Sequence, residues 1–219
     1  ARGGKCIRLR ATKVRLFKGR NSDGVSGIKL VEGDEVVSMS IMHHVNMEQE
    51  QKVAYLKYAA AKRRGEDPEK PAEIDEERLA ALEEREEFIL SITVNGYGKR
   101  TSSYEYRVTG RGGSGIINIE TSERNGDVIG AFPIDANDQL MMVTDQGRLI
   151  RVPVHDVRVA GRNTQGVTLF KVGDEEHIVS VDRIQETDDD EEIEEDDEAE
   201  EEENSEASEN SEEETAPEE

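Results

Sequence analysis

The sequence predicts an all-β fold, with blades of four antiparallel strands in a propeller-like array, a two-helix insertion and a disordered acidic tail. Three observations predict it. A Gly-Arg-x-x-x-Gly-(Val/Ile) motif occurs three times. Strand-turn-strand patterns flank each copy. The excess of charge is confined to one end.

The three copies run Gly19–Val25, Gly110–Ile116 and Gly161–Val167. The second and third start 51 residues apart and the first and second 91, so about 40 residues between the first two are foreign to the period. They match residues 46–87. The first repeat offers Lys5–Arg10, the motif, Ile28–Val31, a Gly33-Asp34 turn and Val36–Met42. Its opening strand would precede Ala1, and no initiator Met is present, so the chain is expected to be part of a longer protein.

In the insertion, Glu48–Arg64 is rich in Ala, Lys and Glu, with Val53, Leu56 and Ala60 at helical spacing. Gly65–Pro71 breaks the pattern, and Glu73–Glu87 resumes it with Leu79 and Leu82. The expectation is a surface hairpin of two short helices, either a solvated decoration or a partner-docking arm.

The second repeat begins with β-rich Phe88–Val94, turns at Asn95-Gly96 where positive φ is tolerated, and continues as the more polar Lys99–Tyr106. After the motif come Ile116–Thr121, an Asn125-Gly126 turn and Val128–Ile134. The third repeat copies this with Leu140–Thr144, Arg148–Val154, the motif, Val167–Lys171, a Gly173-Asp174 turn and Ile178–Ile184. Two hairpins per period give four strands, the content of one propeller blade. Residues 1–185 thus read as one partial array, and residues 186–219 as its tail.

The 219 residues include 51 acidic and 28 basic side chains, a net charge of −23. Residues 186–219 hold 22 of the acids and none of the bases. They contain no Phe, Tyr, Trp, Leu or Val, so they cannot build a core and are expected to be disordered. Such a tail is either a solubiliser or a tethered polyanion that competes with a nucleic acid for basic sites. Without tail and insertion, the repeats carry 20 basic and 16 acidic residues.

Composition removes several classes. A single cysteine, Cys6, forms no internal disulfide, and the cytoplasm is the default compartment. No apolar run reaches the ~20 residues that cross a bilayer. His43-His44, His155 and His177 lack zinc-site spacing. No Lys-Ser/Thr follows Gly110–Gly115, so it is not a phosphate loop. No catalytic or metal site is expected.

The basic residues recur instead. Lys5, Lys99 and Arg148 open the second strand of each unit. Arg15, Arg107 and Arg158 sit shortly before the motif, and Arg20, Arg111 and Arg162 lie inside it. Arg8, Arg10, Lys13 and Lys18, with Arg100 and Arg151, complete the candidate set. Charges recurring once per blade fall on one edge of the array and form a curved positive stripe. Such a stripe suits sequence-independent contacts to the phosphates of a bent duplex. No recognition helix is present, and there are too few aromatics for a single-strand stacking platform.

Asn95-Gly96-Tyr97-Gly98-Lys99-Arg100-Thr101, Glu123-Arg124-Asn125-Gly126, Asp138-Gln139-Leu140-Met141-Met142-Val143-Thr144-Asp145 and Gly161-Arg162-Asn163-Thr164-Gln165-Gly166-Val167 resemble the C-terminal domains of DNA gyrase A subunits. The resemblance covers about residues 1–45 and 88–185. It implies a six-bladed β-pinwheel whose rim wraps double-stranded DNA, with this chain supplying the last three blades and the tail. It further implies a cytoplasmic type II topoisomerase that introduces negative supercoils. That enzyme is an A2B2 assembly with the gyrase B subunit, which holds ATP and Mg. The DNA-linking tyrosine lies upstream in such proteins, so none of Tyr55, Tyr58, Tyr97, Tyr104 or Tyr106 corresponds to it. The family's Q-R-R-G-G-K-G box is absent; Arg2-Gly3-Gly4-Lys5 echoes it, but at a hairpin-turn position. The paralogous topoisomerase IV therefore stays open. So does a different class, a propeller-like scaffold that binds proteins through its insertion or acts as an acidic chaperone.

Overall fold

The computed structural model describes residues 1–185. The acidic-tail expectation lies on residues 186–219, outside the described residues.

The second repeat holds the most complete sheet. Strands β2 (Phe88–Thr93) and β3 (Tyr97–Ser102) form the hairpin expected from Asn95-Gly96. Gly96 has φ +77°, and a Cβ there would run into the carbonyl oxygen of Phe170, so only glycine fits. Strand β5 (Val128–Ile134) adds to the other edge of β2, with a register shift at Ile92/Thr93. The fourth strand comes from the next repeat: β8 (Val167–Thr168) pairs with β3, Gly98 opposite Val167. The same exchange joins the first two repeats, where β1 (Lys5–Cys6) pairs with β4 (Ile116–Ile117).

Among the described residues one sheet is thus a blade of four antiparallel strands, as expected, but drawn from two successive repeats rather than one; the other two sheets have two and three strands. The motif causes this exchange. Its second glycine, Gly166 in the third repeat, has φ +81° and packs so closely on β3 that a Cβ would lie 2.7 Å from the Gly98 oxygen. The chain leaves the motif already laid against the preceding repeat. In the third repeat, β6 (Gln139–Thr144) lies between β7 (Leu149–Pro153) and β9 (Ile178–Ile184).

In the first repeat, Ile28–Val31 and Val36–Met42 do not form strands; Ile28 makes only an isolated bridge to Gly113. In the later repeats the last strand lies beside that repeat's opening strand. Among the described residues no strand takes that place beside Val36–Met42, and Met39 and Ile41 are each 89% exposed.

The main core spans the second and third repeats: Leu90, Ile92, Ile134, Leu140, Met142, Val154, Val157 and Ile178. Each fully buried aliphatic side chain contributes roughly 1.5–3 kcal/mol. Cys6 is part-buried, and burial pushes its thiol up to about 11, as suits a packing residue rather than a nucleophile.

The insertion forms the two expected helices, α1 (Gln49–Arg63) and α2 (Glu76–Glu84). A Glu48/Gln51 capping box starts α1, and the Asp75 carboxylate accepts Arg78 N–H at the start of α2. The hairpin is more than a solvated decoration. Tyr55, Ala59, Ile74, Leu79 and Leu82 share a core with Tyr104 of the second repeat. The Tyr55 and Tyr104 rings meet edge-on, 5.4 Å apart, and the Tyr104 hydroxyl donates to Leu82 O at 3.0 Å. The buried face of α1 centres on Tyr55 and Ala59; of the expected Val53/Leu56/Ala60 stripe, Leu56 packs against this core and Val53 is 58% exposed. Among the described residues, no helix is long and apolar enough to cross a membrane.

Candidate nucleic-acid interface

Each repeat follows its second strand with a 3-10 turn: Ala11–Lys13, Ser103–Glu105 and Val154–Asp156. A hydrogen bond back into the turn closes each one, from Val14, Tyr106 and Val157 N–H respectively. The next residue is in every case an exposed arginine: Arg15, Arg107 and Arg158. In two places the residue after that forms a parallel bridge to the preceding repeat, Val108 to Arg8 and Val159 to Arg100. The hydrogen bonds Thr109 N→Arg8 O and Ala160 N→Arg100 O, both 2.8 Å, fix the same register. One operation relates the two junctions, so Arg107 and Arg158 emerge at equivalent places. Neither side chain has a hydrogen bond or ion pair among the described residues.

Other recurring cations hold the array together instead. Arg8 donates through Nη1 to Ser103 O at 2.8 Å and through Nη2 to His43 O at 3.0 Å. Arg100 occupies the same register one repeat on, donating through Nε to Val157 O at 2.6 Å and through Nη2 to His155 O at 3.1 Å. Each clamps the following repeat's 3-10 turn, and burial lowers both guanidinium pKa values. Arg151 has the equivalent position in β7, is exposed, and meets no following repeat among the described residues.

Lys99 is fully buried. Its Nζ donates to Gly161 O (2.6 Å), Arg162 O (2.7 Å), Thr164 O (3.2 Å) and Thr164 Oγ1 (3.1 Å). Burial pulls its pKa down to about 8, opposed by the charge of Glu105. The grouping of Lys5, Lys99 and Arg148 is thereby corrected. By strand register Lys5 matches Tyr97, and Lys99 matches Ile7, two residues further in and covered by the next motif loop. Arg148 pairs with Glu176 at 2.7 Å and lies 4.5 Å from the Phe170 ring centre.

Arg162 is also removed from the rim. Its Nε donates to Glu105 O at 3.1 Å, its Nη1 to Ile117 O at 2.6 Å, and its backbone N–H to Glu105 Oε2 at 2.9 Å. Arg111, its equivalent, stays exposed because the counterpart of Glu105 in the first repeat is Lys13. Of the fifteen candidates, Arg8, Lys99, Arg100, Arg148 and Arg162 are thus committed to internal partners. Lys5, Arg10, Lys13, Arg15, Lys18, Arg20, Arg107, Arg111, Arg151 and Arg158 remain exposed, with Arg15 5.2 Å from the Phe17 ring centre.

Sequence reasoning passed over Lys29 and Lys171, both exposed and both five residues after the motif's second glycine. Counting from that glycine would have found them. Lys29 N–H donates to Gly113 O at 2.9 Å, which places its backbone beside the loop that bears Arg111. Among the described residues, no group of three His, Cys, Asp or Glu side chains could hold a metal.

The family described as DNA gyrase C-terminal domain, beta-propeller, matches residues 2–41, 87–135 and 138–185. The DNA gyrase A protein of Granulibacter bethesdensis is 48% identical over 209 residues, covering 86% of this chain and 22% of that protein. The DNA gyrase A protein of Rickettsia prowazekii is 42% identical, covering 85% and 21%. The chain thus spans about a fifth of the length of these curated relatives. A solved DNA gyrase A C-terminal domain superposes with a TM-score of 0.56 at 20% identity, over 84% of this chain and 48% of that one. The C-terminal domain of DNA topoisomerase IV superposes with a TM-score of 0.61 at 17% identity, over 84% and 45%. At these identities both speak to the fold.

Proposed function

The chain belongs to the DNA gyrase C-terminal domain family of β-propellers, and from that premise we propose that its repeats bind duplex DNA along their outer edge and bend it. One observation carries the reading. Arg107 and Arg158 stand at equivalent registers of two interlocked repeats, exposed and unpaired among the described residues. Cations at a fixed register of successive repeats meet successive phosphates of a bent duplex. Such contacts release counterions whatever the sequence, and several of them offset a bending cost of roughly 1–6 kcal/mol.

Within a whole protein, the chain serves an ATP-dependent type II topoisomerase that introduces negative supercoils. The assembly is A2B2, with ATP and Mg on the gyrase B subunit. Wrapping sets the handedness of the DNA crossing, so that strand passage lowers the linking number. Gyrase is favoured over its topoisomerase IV paralogue because both curated relatives described above are gyrase A proteins.

The cleavage chemistry belongs elsewhere, and the three buried tyrosines of this chain support that division. Tyr55, Tyr104 and Tyr106 are buried, and burial raises all three phenols, that of Tyr104 to about 12. Tyr97 is stacked by Arg124, which also donates to its hydroxyl at 3.2 Å.

The test is topological. Nicked circular duplex is saturated with the intact protein, sealed by ligase and stripped of protein. The expected product is shifted toward positive supercoils, and a distribution identical to the protein-free control contradicts wrapping.

A further inference from the structure

We propose that helix α1 of the insertion is part of the duplex track, with Lys52 contacting a phosphate beside the 3-10 turn of the second repeat. This rests on the duplex-binding reading above and extends it to a segment outside the repeats.

Lys52 lies three residues before Tyr55, on the same face of α1. Tyr55 packs edge-on against Tyr104, which lays this face on the turn Ser103–Glu105. Arg8 donates to Ser103 O in the same turn, and Arg162 is held by Glu105. Lys52 thus joins two guanidiniums around a turn that supplies one carboxylate. Burial lowers the pKa of its amine, and the charges of Arg162 and then Arg8 lower it further, with Glu105 opposing.

The amine itself has no hydrogen bond or ion pair among the described residues. Lys57 and Arg85 of the insertion are also without a partner among the described residues but are exposed, whereas Lys52 is part-buried. Lys62, Arg63, Arg64 and Lys70 pair with Glu83, Glu86, Glu66 and Glu76 respectively. A part-buried cation left unpaired beside like charges is unfavourable until an anion joins it. Arg107, exposed two residues beyond Glu105, directs the choice of anion to a duplex phosphate, because it carries the rim past this point.

The experiment measures binding of a fluorescent random-sequence duplex to the intact protein over a salt series. Lys52→Gln is expected to weaken binding about fivefold at low salt and to lower the log K against log salt slope by about one. Lys52→Arg is expected to keep both. Lys57→Gln, on an exposed part of α1 about 140° further round the helix, is expected to change neither. An unchanged slope for Lys52→Gln, with a reduced slope for Arg107→Gln, overturns the inference and leaves rim binding intact. Unchanged slopes for both variants overturn the rim reading itself. Equal losses for Lys52→Gln and Lys57→Gln overturn the specific contact in favour of general charge. Should Lys52→Gln lower the melting temperature, Lys52→Arg decides: a wild-type slope supports the contact and a reduced slope overturns it.

Discussion

The junction between the first and second repeats and the junction between the second and third share one backbone interlock but carry opposite side-chain chemistry. In both, a hairpin glycine oxygen accepts two N–H groups from the next repeat: Gly4 from Asn118 and Ile119, Gly96 from Leu169 and Phe170. In both, an arginine clamps the next 3-10 turn. At the later junction Lys99, Glu105, Arg162 and Thr164 form a closed polar network. At the earlier one the equivalent positions hold Ile7, Lys13, Arg111 and Gly113, so two cations remain without a carboxylate between them. The interlock is therefore set by glycines and the clamp arginines. The charge displayed beside it is an independent choice, which leaves the earlier junction the more electropositive of the two.

The comparison breaks most severely at the interlock. Gly96→Ala places a Cβ against the Phe170 carbonyl at positive φ, and a loss of more than about 3 kcal/mol in urea unfolding is expected. Gly147→Ala, at φ +80° with open space around it, is expected to cost only about 1 kcal/mol.

Next comes the polar network. Lys99→Ala strips the donor from three carbonyls and is expected to cost about 3 kcal/mol by the same measurement. Ile7→Ala, at the equivalent part-buried site, is expected to cost about 1–2 kcal/mol.

Converting one junction into the other is a smaller change, and it should be read in binding rather than stability. Lys13→Glu removes one cation and gives Arg111 the carboxylate that Glu105 gives Arg162. The log K against log salt slope for duplex binding is expected to fall by about two, with unfolding shifted by less than about 0.5 kcal/mol. The smallest effect is expected at the insertion surface, where Lys70→Ala removes an exposed pair with Glu76 and should leave the urea-unfolding midpoint unchanged.

The outer strands of the later repeats, the hairpin turns, the period and the two helices were legible in the sequence, because alternation and turn chemistry are local; the strands expected over Ile116–Thr121 and Val167–Lys171 shrink to two residues each, and Lys99–Tyr106 gives way to a 3-10 turn after Ser102. Strand exchange was not. Periodicity says that Val167–Thr168 extends, but not that β3 of the preceding repeat receives it. The buried face of α1 was only partly legible for a similar reason: Leu56 was found, but Tyr55 and Ala59 face Tyr104, which lies outside the insertion. Among the cations, recurrence revealed the register of Arg107 and Arg158 but not exposure, and it misplaced Lys99 by two residues. Arg100 and Arg107 recur equally well, yet one grips Val157 O and the other is free among the described residues. A guanidinium serves carbonyls and phosphates alike, so only the packed structure separates the two roles.

The central claim is that Arg107 and Arg158 meet DNA while Arg8 and Arg100 hold repeats. Salt titration of duplex binding by the intact protein with Arg107→Gln and Arg158→Gln combined tests it most directly. The account predicts a slope lower by about two with the melting temperature unchanged. A wild-type slope, or a loss of binding that tracks unfolding, would contradict it.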